Sequence, residues 1–251
     1  MDLGLEGKVA LVAASSKGLG RASALALARE GARVTVCART PDVLEAAAAE
    51  IRQQTGAQVL AVPADVSTAE GISAVVAATA DRFGTVDILV DNSGGPPIGG
   101  FAELTDEDWL RGFEIVTLNF VRFVRAVLPY MRGSKWGRII SIQSSSVKQP
   151  VTNIDLSNGT RPGVAGLMKA LMPELAQDGI TINLVLPGSF RTDRIGAARL
   201  QPGAPVPGIP VGRFGEPIEL GNLVAFLASE LSGYITGATY QIDGGSIRSN
   251  V

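Results

Sequence analysis

The sequence predicts an α/β fold: one doubly wound sheet of about seven mostly parallel strands, flanked by helices. Three observations lead there. Short apolar runs alternate with Ala/Leu-rich helical stretches along the chain of 251 residues. Hydrophobic residues make up 46% but aromatics only 5%, which suits Val/Ile/Leu strands buried on both faces. The stretch Val9 to Gly20, VALVAASSKGLG, runs from an apolar strand into a turn holding Gly18 and Gly20, then into helical Arg21 to Glu30. With the strand Arg33 to Ala38 this completes a βαβ unit whose turn presents backbone N–H groups to a phosphate.

The remaining elements follow in order. Pro41 to Gln54 reads as a helix with proline in its first turn, where no N–H is needed. Gln58 to Val62 is a strand, and Asp65 to Thr68 leads into a helix reaching Phe83, with Ser67-Thr68-Ala69-Glu70 as a capping box. Asp87 to Val90 is the fourth strand, closed by the turn-rich Asp91-Asn92-Ser93-Gly94-Gly95-Pro96-Pro97. A long helix is expected from near Thr105, with Asp108 three residues on, towards Arg132. Arg138 to Ile142 and Ile180 to Leu186 are strands five and six, the latter ended by Pro187-Gly188. Ser157 to Gln177 between them is helical. Pro162 is tolerable there only in a first turn, and Pro173 is expected to kink or end the helix. Gly196 to Gly215, rich in Pro and Gly, reads as a mobile loop covering the substrate; Glu216 to Ala228 is a helix and Thr239 to Ile242 the last strand. With no linker or repeat, residues 1–251 form a single domain.

Composition narrows the function classes. A formal net charge of −2 gives no sign of a nucleic-acid or anionic-membrane partner. The single Cys37 rules out a disulfide framework and fits a reducing cytoplasm. No apolar run reaches the ~18 residues of a membrane span, and the N-terminus lacks the basic-then-apolar plan of a signal peptide. No histidine is present, so proton transfer near neutral pH requires another group. No metal site is expected.

Two basic residues give the phosphate turn its chemistry. Lys17 lies inside it and Arg39 follows the second strand, where a nucleotide ribose belongs. A carboxylate there favours a free 2′-hydroxyl, whereas a guanidinium binds a 2′-phosphate bidentately. Ala38-Arg39 offers the guanidinium alone, which predicts NADP(H) over NAD(H). Asp65, after the third strand, either accepts from an adenine amine or serves a turn. Asn92 and Gly94 end the fourth strand, where small residues let a cofactor approach the backbone.

Together these residues resemble the short-chain dehydrogenase/reductase family, from about Gly7 to Gly245. Its TGxxxGxG turn is matched by Ala13-Ala14-Ser15-Ser16-Lys17-Gly18-Leu19-Gly20, with Ala in place of the Thr and the first Gly. The basic pair Lys17 and Arg39 is the pattern of its NADP-preferring members. Its adenine-contacting Asp falls on Asp65, followed by Val66; its NNAG run falls on Asp91-Asn92-Ser93-Gly94; its PG motif is Pro187-Gly188; and its nicotinamide-side Thr falls on Thr192. Tyr234-Ile235-Thr236-Gly237 to Asp243-Gly244-Gly245 resembles its last strand region. The resemblance implies a Rossmann-like fold, a small-molecule substrate and a homotetramer (or dimer), with the two long helices pairing between subunits.

The catalytic end departs from the family. Its members reduce a carbonyl with Ser, Tyr and Lys, assisted by an Asn. Counting without gaps from Gly137-Arg138-Ile139-Ile140 places the Ser on Ser144, the Tyr on Ser157 and the Lys on Arg161. The Asn falls near Val116, with Asn119 one helical turn away. A Ser hydroxyl is a poor proton donor, and Arg, with a pKa above ~12, shuttles none. Arg161 can bind ribose hydroxyls, a phosphate or a carboxylate, and can stabilise an oxyanion. Lys148 is the nearest titratable substitute or else a loop lysine, and Ser145 and Ser146 serve local caps. Tyr130, Tyr234 and Tyr240 read as core or interface residues.

The leading expectation is hydride transfer to a small carbonyl. Divergent members of the family without the Tyr/Lys pair instead reduce an activated C=C bond. The chain resembles that bacilysin-pathway type in Asn92-Ser93-Gly94-Gly95-Pro96, Lys148-Gln149-Pro150 and Asp243-Gly244-Gly245-Ser246, and it also resembles 3-oxoacyl-ACP-reductase-like proteins. A third possibility is a protein that binds NADP(H) as a sensor or partner without turnover.

Overall fold

Along β1 (Val9–Val12) successive side chains enter two different cores. Ala10 and Val12 join one apolar cluster, while Leu11 and the following Ala13 join another. That period of two is what a strand covered on both faces requires. The computed structural model describes residues 1–193 and 206–249.

Seven parallel strands form the sheet: β1, β2 (Arg33–Ala38), β3 (Val59–Pro63), β4 (Ile88–Asn92), β5 (Gly137–Ile142), β6 (Ile180–Pro187) and β7 (Thr239–Ile242), in the order β3-β2-β1-β4-β5-β6-β7. Helices α1 (Gly18–Arg29), α2 (Pro41–Thr55) and α7 (Pro217–Ala228) bury their apolar sides on one face. On the other lie α3 (Ala69–Phe83), α5 (Asn119–Ser134) and α6 (Asp155–Gln177). Helix α4 (Asp106–Phe113) precedes α5. The chain builds outward from β1 to β3, then returns to lay β4 against the other side of β1. The crevice at the carboxyl ends of β1 and β4 is therefore the topological switch point, where ligands of open α/β sheets bind.

Most elements lie within a few residues of their sequence-predicted bounds, and the exceptions have physical causes. Thr68, rather than Ser67, caps α3 by accepting from the Gly71 N–H at 3.0 Å. The long helix expected from Thr105 to Arg132 starts as predicted, with Thr105 and Asp108 capping each other. It then passes through a π-helical turn, Glu114–Leu118, before α5. Helix α6 begins two residues early, at Asp155, so Pro162 lies in its interior rather than its first turn. Pro173 does not end it. Leu156, Val164, Met168 and Leu175 are all buried, and this packing on both sides of the prolines outweighs the lost backbone bonds. Of the loop 196–215, residues 196–205 lie outside the described residues; Gly215 pairs with Phe190 in an isolated bridge.

The phosphate turn carries one strained residue. Ala14 has φ +46°, in the left-handed region that disfavours a Cβ. Relieving it outweighs the extra unfolded-state entropy of glycine, so Ala14→Gly is expected to raise stability by about 0.5–1 kcal/mol and Tm by about 2–4 °C. An unchanged or lowered Tm in thermal denaturation would contradict the strain.

Candidate active site

The two remaining glycines of the turn shape it differently. Gly18 opens α1 with φ +57°, and a Cβ on Gly20 would sit 2.6 Å from the Ala14 carbonyl oxygen and 2.8 Å from Asn92 Nδ2. Only glycine lets the first turn of α1 approach β1 this closely. Asn92, at the end of β4, donates through Nδ2 to the Ala13 and Ala14 carbonyls, 3.3 Å each, and so ties the two strand ends together across the switch point. Ser15 braces the turn from below, donating to the Val12 carbonyl at 2.7 Å and accepting from the Cys37 N–H at 3.0 Å. No acidic residue occupies the first turn of α1, which leaves its positive end available to an anion.

A cleft of about 400 Å³ opens beside this turn, lined by Ala14, Ser16, Lys17, Arg39, Asp65, Val66, Ser93, Gly94 and Asn119 among others. A second cavity of about 590 Å³ is lined by Leu19, Asn92, Ser93, Pro187, Gly188, Thr192, Ser144, Ser157 and Arg161 among others. Ser93 borders both. The sequence-predicted dinucleotide residues other than Gly18 and Gly20 thus line these two adjoining cavities. Lys17 pairs with Asp193 at 3.4 Å, both largely exposed, and Arg39 faces the same cleft from the end of β2. Asp65 serves the turn role, since it accepts from the Ser67 N–H at 3.0 Å. That bond holds its carboxyl below the usual range, with smaller contributions from Arg39 and Arg111. Asn119 donates to the Val66 carbonyl, and its Oδ1 is buried without a partner. The residue at the expected helper position, Val116, is buried in the core.

At the other end, α6 and the segment after β5 place three candidate catalytic groups in one cavity. Ser144 caps a short 3₁₀ turn, Ser145–Val147, by accepting from the Ser146 N–H at 3.2 Å. Ser146 Oγ lies 3.0 Å from Ser157 Oγ. Ser157 and Arg161 share a face one helical turn apart, so Arg161 Nε donates to Ser157 Oγ at 3.0 Å. The partnership expected from their spacing is therefore formed, because α6 starts before both. Arg161 is only 5% exposed, and its Nη1 donates to Gln143 Oε1 at 3.0 Å. Among the described residues lining this cavity, Arg161 is the one charged side chain, and none of Tyr130, Tyr234, Tyr240 or Lys148 reaches it. Tyr234, read as core or interface, is fully exposed in the single chain.

The family model described as Enoyl-(Acyl carrier protein) reductase, which represents short-chain dehydrogenases/reductases, matches residues 13–246. The chain is also 37% identical to the 3-oxoacyl-(acyl-carrier-protein) reductase of Vibrio cholerae, over 97% of this chain and 98% of that protein. It belongs to the short-chain dehydrogenase/reductase family. Its backbone is similar to L-sorbose reductase of Gluconobacter frateurii, solved with NADPH and L-sorbose (TM-score 0.92, 35% identity, 99% and 100% of the two chains). It is likewise similar to YwfH, an NADPH-dependent reductase involved in bacilysin biosynthesis (TM-score 0.91, 28% identity, 96% and 99%).

The gapless count from β5 assigns the family's Ser to Ser144 and its Tyr and Lys to Ser157 and Arg161. Two participants escape a reading of the sequence: Gln143, and Asp91 behind it. Asp91 is buried and accepts from Ser141 Oγ, which in turn accepts from Gln143 Nε2 at 2.6 Å. A weak signal existed, since Ser141 and Gln143 are polar residues on either side of Ile142 at the end of β5.

Burial pushes the Asp91 carboxyl up to about 6, against the pull of its Ser141 bond and of Arg161. The folded protein then binds this proton more tightly than the unfolded chain, so the linked stability is greatest below about pH 4 and declines until about pH 6. Relative to Asp91→Asn, the wild type is expected to lose up to about 3 kcal/mol across that window. Denaturant titrations of both proteins at pH 4, 5, 6 and 7 measure it, and a stability difference independent of pH would contradict the buried ionisation.

Proposed function

We propose that this chain is an NADPH-dependent reductase in which Arg161, with Ser144 and Ser157, receives the negative charge that develops on a substrate oxygen. The observation that carries this is the guanidinium itself. It is the one charged group among the described residues lining the second cavity, and that cavity adjoins the dinucleotide cleft at Ser93. Bound NADPH supplies the hydride. Lys17 and Arg39 would hold its phosphates, Asp65 and Val66 would border its adenine end, and Leu19, Asn92, Pro187, Gly188 and Thr192, which line the second cavity, would border its nicotinamide end.

The chain's own groups then divide the work. Ser144 and Ser157 donate hydrogen bonds to the substrate oxygen. Arg161 keeps its proton and stabilises the oxyanion electrostatically, which is worth on the order of 100- to 1,000-fold. The general-acid contribution of a Tyr, ~100- to 10,000-fold, is missing, so water completes the protonation. A small carbonyl compound is the leading substrate. The lack of a titratable donor favours a second reading, conjugate reduction of an activated C=C bond. An enolate is less basic than an alkoxide, so a fixed cation stabilises it without a matched proton donor.

The same reading treats residues 1–251 as one NADP(H)-binding domain in the cytoplasm, with 196–215 covering the substrate. Phe214, which lines the cavity, supports that role. It also takes the chain as a homotetramer, supported by Leu110 and Phe113, which are 71% and 50% exposed on α4. No described helix is long and apolar enough to cross a membrane.

Cofactor fluorescence and loss of reduced-nicotinamide absorbance over a panel of ketones, activated alkenes and quinones test the function. NADPH is expected to bind at least ~10-fold more tightly than NADH, and Arg39→Asp is expected to abolish the preference. Turnover of ketones supports the first reading, turnover confined to activated alkenes the second, and tight binding without turnover of any compound overturns both. Restoring the pair with Ser157→Tyr and Arg161→Lys is expected to raise ketone reduction by about 100-fold.

A further inference from the structure

Behind Arg161, three side chains continue it into a single directed line. Asp91 and Ser141 face each other in the β4–β5 register, and Gln143, two residues beyond Ser141, points to the same face. From the cavity inward, Arg161 Nη1 donates to Gln143 Oε1 at 3.0 Å, Gln143 Nε2 donates to Ser141 Oγ at 2.6 Å, and Ser141 Oγ donates to Asp91 Oδ2. Every donor in the line points towards the carboxylate, and no amide orientation is left to choice: a flipped Gln143 would set its NH₂ group against the guanidinium. All four residues are buried.

We propose that Gln143 is a positioning residue of this active site: it fixes the Arg161 guanidinium and, through Ser141, ties it to Asp91 as a remote counter-charge. The assignment rests on the function proposed above. A carboxamide suits the task because it accepts from Arg161 without neutralising it. Asp91 lies two side chains away and does not line the cavity, so the line reaches a negative charge without placing a carboxylate beside the substrate oxygen. Arg161 on α6 is the charged group that acts on Asp91 across β5.

The test compares Gln143→Met, which has similar bulk and no acceptor, with Gln143→Glu, which keeps an acceptor for Arg161. In the Met variant, kcat for the substrate found in the screen is expected to fall about 10- to 100-fold, the size of effect that misplacing a reacting group produces. NADPH affinity is expected to stay within about 3-fold, and the Glu variant, which holds Arg161 in place but neutralises it, is expected to keep kcat low while retaining the ordered guanidinium. Free guanidinium added to Arg161→Ala is expected to restore part of its turnover, and to restore none when Gln143→Met is also present. A readout independent of turnover is the Nε–H signal of Arg161 in a nitrogen-proton NMR spectrum. It is expected to be sharp and slowly exchanging in the wild type and Gln143→Glu, and broadened in Gln143→Met. If Arg161→Ala keeps full turnover, the proposed role of Arg161 fails. If Arg161→Ala loses turnover while Gln143→Met keeps both its kcat and its sharp signal, the positioning role of Gln143 is overturned.

Discussion

A parallel sheet covered by helices on both faces leaves little open except the carboxyl ends of its strands, and everything functional in this protein follows from that constraint. The chain reverses its strand order between β1 and β4, so the turn after β1 and the end of β4 face each other across the resulting crevice. Asn92 closes the gap with two bonds to the backbone of the phosphate turn. Gly20 permits the approach, because any Cβ there would meet both the Ala14 carbonyl and Asn92. With that junction set, the groove extends one way to Arg39 and Asp65 and the other way to Ser144, Ser157 and Arg161.

In the function proposed here, the far end works through a fixed charge rather than a proton donor, and the contrast with the family pattern follows from that reading. A Tyr/Lys pair moves a proton and also stabilises charge. Ser157 and Arg161 retain the second capacity and give up the first, because a guanidinium stays protonated across the physiological range. The line through Gln143 and Ser141 to Asp91 sets a negative charge behind it without placing a carboxylate in the cavity. The substitution of the catalytic pair and the presence of a buried acid on the neighbouring strand are two sides of one electrostatic arrangement.

The element order, the βαβ start and the groove residues were legible in the sequence because each depends on local spacing: apolar period, glycine turns, and basic residues at strand ends. Counting from strand five pointed to Ser144, Ser157 and Arg161, and the structure brings these three side chains into one cavity because α6 runs unbroken through both serine and arginine. Pro162 misled the helix boundary because local backbone preference was outweighed by the buried face of α6. The line behind Arg161 was not legible. It depends on the register that sets Asp91 opposite Ser141, a pairing between strands separated by some fifty residues in sequence, and Asp91 in one dimension looks like part of a turn. Asn119, flagged as one helical turn from the expected helper position, follows the π-helical turn and donates to the Val66 carbonyl, a contact between segments some fifty residues apart that spacing alone does not show.

The most direct measurement of the central claim is the pH dependence of the hydride-transfer rate in a single turnover with saturating NADPH. A site that works through Arg161 predicts a rate that is level from about pH 7 to about pH 10, because no group that donates to the substrate titrates there. A fall in rate with an apparent pKa inside that range, abolished by replacing a residue other than Arg161, would reveal a proton donor and contradict the account.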